Sequence, residues 1–88
     1  MAMINAMEPI VKELFEDFQH SYPVSCTCEQ CRLDIQVIAL NRLQPKYVTS
    51  KMGEVYIKTL LLNTQLRSDV VRELAHAADL VGKNPHHA

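Results

Sequence analysis

The chain has 88 residues, 48% of them apolar and 22% charged, with a net charge of −1 and a pI near 6.4. That is one domain, residues 1–88, and the composition excludes a disordered chain and any broad electrostatic pull on nucleic acid or acidic membranes. No apolar run approaches the roughly 18–20 residues that span a bilayer.

A domain this short buries only about 60–65% of its unfolded surface, so a metal, disulfides or a second subunit is the expected supplement. The N-terminus has acidic residues within its apolar pattern and no Lys or Arg before Lys12, unlike a signal peptide. The expected location is the cytoplasm, where clustered cysteines bind metal or stay reduced rather than form disulfides.

From Met3 to Phe18, Ile4, Met7, Val11, Leu14, Phe15 and Phe18 fall at helical spacing, with Glu8, Lys12, Glu16 and Asp17 on the other face. Asn5 followed by Glu8 approximates a capping box, and Pro9 is tolerated only near a helix start. The first helix is therefore expected to begin close to Asn5 and to fray near His20, before the breaker Ser21-Tyr22-Pro23. After a loop over 23–27, a second helix is predicted over 29–43. Its apolar residues Leu33, Ile35, Val37, Ile38, Ala39, Leu40 and Leu43 cover more than one face, which predicts a helix that is part core and part dimer interface.

Pro45 ends that helix at Gln44. Lys46 to Lys51 reads as extended or loop, and Met52-Gly53 as a turn. Val55, Tyr56, Leu60, Leu61, Leu62, Leu66, Val70, Leu74, Ala77 and Val81 then follow three- and four-residue steps. With Asn63-Thr64 and Ser68-Asp69 as capping signals, the pattern predicts a short helix from Glu54 and a longer one over 64–80. Gly82 is placed to end it, with Pro85 shortly after. The predicted fold is all-α, a compact bundle of about four helices with one short extended segment near Tyr47, forming a homodimer.

Cys26, Cys28 and Cys31 lie inside six residues at the start of the second helix. Closely spaced thiolates share one zinc ion, and Cys28-x-x-Cys31 has the usual spacing, while Cys26-x-Cys28 is tighter. A fourth ligand would come from His20, His76, His86, His87, water or another subunit. Reduced thiols at a helix start, where the dipole favours thiolate, are the plainer reading. A redox pair lacks its usual βαβ context.

Arg32, Asp34, Asn41, Arg42, Lys46 and Tyr47 are the polar residues of the same stretch. Asn41, Arg42, Lys46 and Tyr47 cluster where helix turns into extended chain. They would offer a guanidinium, an amide and an aromatic face to a ligand, or else pair, cap and pack locally. No nucleophile is visibly paired with a base, and there is no carboxylate dyad or cofactor loop, which argues against an enzyme.

The order C-x-C-x-x-C, Leu33-Asp34-Ile35, Ala39-Leu40-Asn41-x-Leu43-x-Pro45-x-Tyr47-Val48 resembles the late competence ComFB family of bacteria. Asn5-Ala6-Met7-Glu8 and Asn84-Pro85-x-His87 match the same pattern, so the likeness covers almost the whole chain. Gln44 departs from it, standing where the family usually has a proline. The resemblance implies that the final histidines are native, that some relatives bind metal, and that some are receptors for cyclic di-GMP linked to competence, motility and surface behaviour.

On that likeness, a two-fold dimer would meet a two-fold ligand. Arg42 and Arg32 would contact guanine, Asp34 would accept from it, Lys46 would meet phosphate and Tyr47 would stack, with Asn41 beside them. A downstream protein partner is implied, and binding of a nucleic acid polymer is not.

Overall fold

The computed structural model describes residues 2–83. Its order is β1 (Met3–Asn5), α1 (Met7–Ser21), α2 (Glu29–Arg42), β2 (Tyr47–Thr49), α3 (Ser50–Leu61) and α4 (Thr64–Lys83). The shortest dimension is 19 Å, about two helix diameters, so the helices form two layers. No helix among the described residues is long and apolar enough to cross a membrane.

The core lies among α1, α2 and α4. From α1 come Met7, Ile10, Val11, Leu14, Phe15 and Phe18, from α2 Cys31, Ile35 and Ala39, and from α4 Val70, Leu74, Ala77, Ala78 and Val81. Helix α2 packs chiefly on α4. Within one chain its outer face is open: Leu33 and Val37 remain half exposed. Helix α3 is peripheral, and Gly53 is its one buried residue.

The first helix begins at Met7, close to Asn5 as expected, but the residues before it form a strand that the apolar spacing did not show. Met3–Asn5 is a strand antiparallel to β2, in the register Met3↔Thr49, Ile4↔Val48 and Asn5↔Tyr47. Asn5 Oδ1 accepts from Met7 N at 3.1 Å and from Lys46 N at 2.9 Å. One side chain thus serves the helix entrance and a segment 41 positions away. Pro9 falls in the first turn of α1, where amides have no intrahelical acceptor.

Two glycines also depart from expectation. Met52-Gly53 is helical rather than a turn, because the missing side chain lets α3 lie on the strands. A β-carbon at Gly53 would stand 3.3 Å from Ile4 Cδ1 and 3.5 Å from Val48 Cγ2. Gly82 does not end α4, which runs to Lys83. It sits where a β-carbon would be 3.0 Å from Ser25 Oγ. Asn63 does cap α4, accepting from Leu66 N at 3.0 Å. Asp69 sits inside α4 and pairs with Arg72 instead of capping. Pro85, His86 and His87 lie outside the described residues.

Tyr22 ties the end of α1 to α4. Its ring stacks on Phe18 with centroids 4.8 Å apart, and its hydroxyl donates to Asp79 Oδ1 at 2.9 Å. That hydrogen bond, with some desolvation and the carboxylate's charge, raises the phenol above its ordinary 10.0. A raised folded pKa gives a contribution that is full below pH 10 and lost as pH rises through the folded value. In an alkaline absorbance titration, one of the chain's three tyrosines should therefore ionise last, and Tyr22→Phe should remove that component. A wild type whose tyrosines ionise together would refute the link.

Candidate functional site

Helix α2 begins on the cysteines. Cys28 is its N-cap, with extended backbone, and its sulfur accepts from Cys31 N at 3.4 Å. Cys31 is fully buried in the core, Cys26 half-buried and Cys28 exposed. The three Sγ atoms lie within 4.8 Å of one another. Tetrahedral zinc, with Zn–S bonds of ~2.3 Å, holds its sulfurs ~3.8 Å apart, so small side-chain rotations bring these donors into place.

The electrostatics of the cluster change sign with a metal. Burial, then hydrogen bonding with Cys26 and Cys28 and their charge, pushes the Cys31 thiol up to about 12. Three thiolates cannot share so small a volume alone. A divalent cation among them reverses that balance and holds all three ionised. The donor set therefore fits a thiophilic structural ion such as zinc.

A polar cleft of about 280 Å³ opens where the end of α2 meets α4, lined by Arg42, Gln44, Lys46, Asp69, Arg72 and Glu73 over Met7, Leu43 and Leu66. Arg42 Nε meets Glu73 Oε1 at 2.6 Å, and Arg72 Nη2 meets Asp69 Oδ1 at 2.7 Å. Lys46 adds a third cation on the rim, so three positive and two negative groups face one space.

This geometry divides the six sequence candidates. Arg42 and Lys46 come together in the cleft. Arg32 faces a separate hollow of about 200 Å³ with Lys12, Glu16, Glu29 and Gln36. Asp34 accepts from Gln30 Nε2 at 2.9 Å, on neither of those surfaces. Asn41 is exposed and lines neither. Tyr47 is 61% exposed and borders a different, apolar groove of about 470 Å³ with Val48, Thr49, Met52, Val55, Tyr56 and Thr59.

Arg72, Asp69 and Glu73 were not among the sequence candidates. Their three- and four-residue spacing reads as an ordinary solvated face, and only the docking of α4 on α2 brings them to Arg42.

Comparison with known proteins agrees with this architecture. The family model described as late competence development protein ComFB matches residues 4–85. The competence protein ComFB of Bacillus subtilis (strain 168) is 30% identical over 83 residues, covering 94% of this chain and 85% of that one. The solved structure of the late competence protein ComFB from Bacillus subtilis superposes with a TM-score of 0.85 at 30% identity, over 96% of this chain and 94% of that one. A four-helix fold with a two-stranded sheet, a thiol cluster opening α2 and a family match over nearly every residue lead to one assignment: the chain belongs to the late competence ComFB family.

Proposed function

We propose that this chain is a non-enzymatic signalling module: a homodimer that holds a structural zinc ion, binds cyclic di-GMP and relays it to a downstream protein in competence, motility or surface behaviour. Zinc would be held by Cys26, Cys28 and Cys31, whose sulfurs already lie within 4.8 Å of one another. The ion would act as a staple between the loop and α2.

One observation carries the ligand part: Arg42, Lys46 and Arg72 converge on a single cleft. Guanidinium groups suit both a guanine edge and a phosphate, and the lysine suits a phosphate. At about 280 Å³ the cleft falls below the roughly 300–1,000 Å³ that encloses a drug-sized ligand, so one protomer would hold only part of the nucleotide. Two copies related by a two-fold axis would meet its two halves. Arg32, Asp34, Asn41 and Tyr47 would contribute only from the second protomer or through a change of shape.

Calorimetric titration with cyclic di-GMP, against GTP and cyclic di-AMP as controls, tests this. Selective binding near one ligand per dimer is expected, weakened at least about tenfold in Arg42→Ala with the dimer intact. A second reading is a metal-stapled adaptor with no small ligand, favoured by the ion pairs that already occupy both guanidinium groups. No heat, confirmed by an independent binding assay, would leave that reading ahead.

For the dimer, the apolar face of β2 and α3 is the stronger surface. Tyr47, Met52 and Val55 are 61%, 62% and 67% exposed around one groove, a large contiguous apolar patch for so small a domain. Val55→Glu should shift the sedimentation mass from dimer to monomer. An unchanged dimer would move the interface to the Leu33 and Val37 stripe of α2, where Val37→Glu makes the same test.

A further inference from the structure

Helix α3 lies on the two strands with a groove along each flank. One flank carries Met52, Val55, Tyr56 and Thr59 and is the surface proposed above for the dimer. The other, of about 400 Å³, is lined from α3 by Ser50, Gly53, Glu54, Ile57, Lys58 and Leu61. Those positions recur every three or four residues over the whole helix, so the groove runs for about 17 Å. Ile4 of β1 and Glu13 of α1 close its far side.

The floor is apolar and incompletely covered. Ile4, Ile57 and Leu61 are each only partly buried. Gly53 lets the helix sit low between them, since a β-carbon there would stand 3.3 Å from Ile4 Cδ1. A groove three helical turns long fits the apolar stripe of another helix, whose anchors recur at the same three- and four-residue steps.

The rim decides what kind of helix fits. Glu13 stands on one side and Glu54 on the other. Glu54 meets Lys58 at 3.4 Å, but the two side chains are 82% and 74% exposed, and such a pair is worth little in water. Asp17 follows Glu13 one turn along α1 and is likewise exposed. Neither carboxylate joins an ion pair among the described residues. The one lysine of α1, Lys12, lies around the helix in the hollow against α2. A second copy does not suit this rim, because a two-fold contact would set Glu13 and Glu54 against the same carboxylates of the other protomer.

We propose that this groove docks a short amphipathic helix of a partner protein, its apolar stripe on Ile4, Ile57 and Leu61 and its flanking Lys or Arg residues toward Glu13, Asp17 and Glu54. The inference depends on neither the zinc ion nor the nucleotide. It gives the downstream protein of the proposed function a surface and a chemistry, and it leaves the other flank of α3 to the dimer.

The probe is a displayed library of helical peptides of about 14 residues, long enough to follow α3 from end to end. Leucines are fixed along one stripe, the flanking positions vary among Lys, Glu and Ala, and selection is on the full chain. Recovered peptides should carry Lys on the flanks. By fluorescence anisotropy they should bind the Glu13→Lys/Glu54→Lys double variant at least about tenfold more weakly than wild type, and should bind wild type more weakly as salt rises. Ile57→Asp should weaken them too, while Val55→Glu, on the opposite flank, should bind them as wild type does. The double variant and Val55→Glu change exposed residues, and circular dichroism should show both folded.

A library that yields no peptide would overturn the proposal, as would peptides flanked by Glu. Lys-flanked peptides that bind the double variant as tightly as wild type, or that lose binding in Val55→Glu, would overturn it as well. The nucleotide titration, run without peptide, stands or falls separately.

Discussion

Phe15→Ala should remove a large share of the stability of this domain, costing about 3–5 kcal/mol. Phe15 is 2% exposed and is the largest of the fully buried side chains, on the face of α1 that carries Met7, Ile10, Val11, Leu14 and Phe18. The cost combines lost transfer energy with a cavity that close packing cannot collapse. A chain of this length has a total stability of roughly 4–13 kcal/mol, so the loss is a large share of it. In a thermal melt the midpoint should fall by roughly 15–30 °C. Leu62→Ala is the matched control: Leu62 is 83% exposed after α3, and its loss should change stability by no more than about 0.5 kcal/mol. Equal effects from the two substitutions would mean that α1 is not the centre of the core.

That α1 supplies the most buried residues could not be read from its sequence alone. The Cys26–Val48 stretch is more eventful to the eye, and its borders were legible because local chemistry sets them. Cys28 caps one end of α2, and Pro45 forbids helix at the other. Asn63 was legible for the same reason, since a side-chain cap acts within its own turn. Asn5 was legible only in part: its place at the helix entrance is local, while its second partner, Lys46, is remote. Gly53 and Gly82 carry a turn signal that close packing overrides: each lies in a helix where another segment occupies the space of a side chain.

The candidate sites divide along the same line. Three cysteines in six residues needed no fold to bring them together, and their sulfurs do cluster. The polar residues of α2 could be placed on helix faces, yet which faces meet another element depends on α4. Arg42 found Glu73 and Arg72 there, Arg32 faced α1, and Tyr47 turned to an apolar groove. A one-dimensional cluster became three surfaces, because α2 distributes Arg32 and Arg42 around its circumference while Tyr47 stands beyond it on β2.

If the proposed zinc ion is held at the thiol cluster, removing it should produce the other large effect, and the burial of Cys31 determines its form. A bound ion stabilises by about 4 kcal/mol when its free concentration is a thousandfold above Kd, which in a chain this size raises the melting midpoint by roughly 16–30 °C. A chelator should therefore lower the wild-type midpoint by that order and leave Cys28→Ser unmoved, since that variant has already lost the site. Without metal, Cys31 keeps its proton far above neutral pH, held up to about 12 mainly by burial, so it stays a small neutral group in the core. The metal-free chain should accordingly retain its helices and a cooperative melt.

Cys31→Ser adds a cost of its own, because it places a hydroxyl where a sulfur was fully buried. With chelator present, it should melt below Cys28→Ser, whose change is at an exposed position. That ordering separates the two roles of the cluster, since only the effect shared by both variants belongs to the ion. A wild type indifferent to chelator, with Cys31→Ser alone destabilised, would mean that Cys31 acts only as packing.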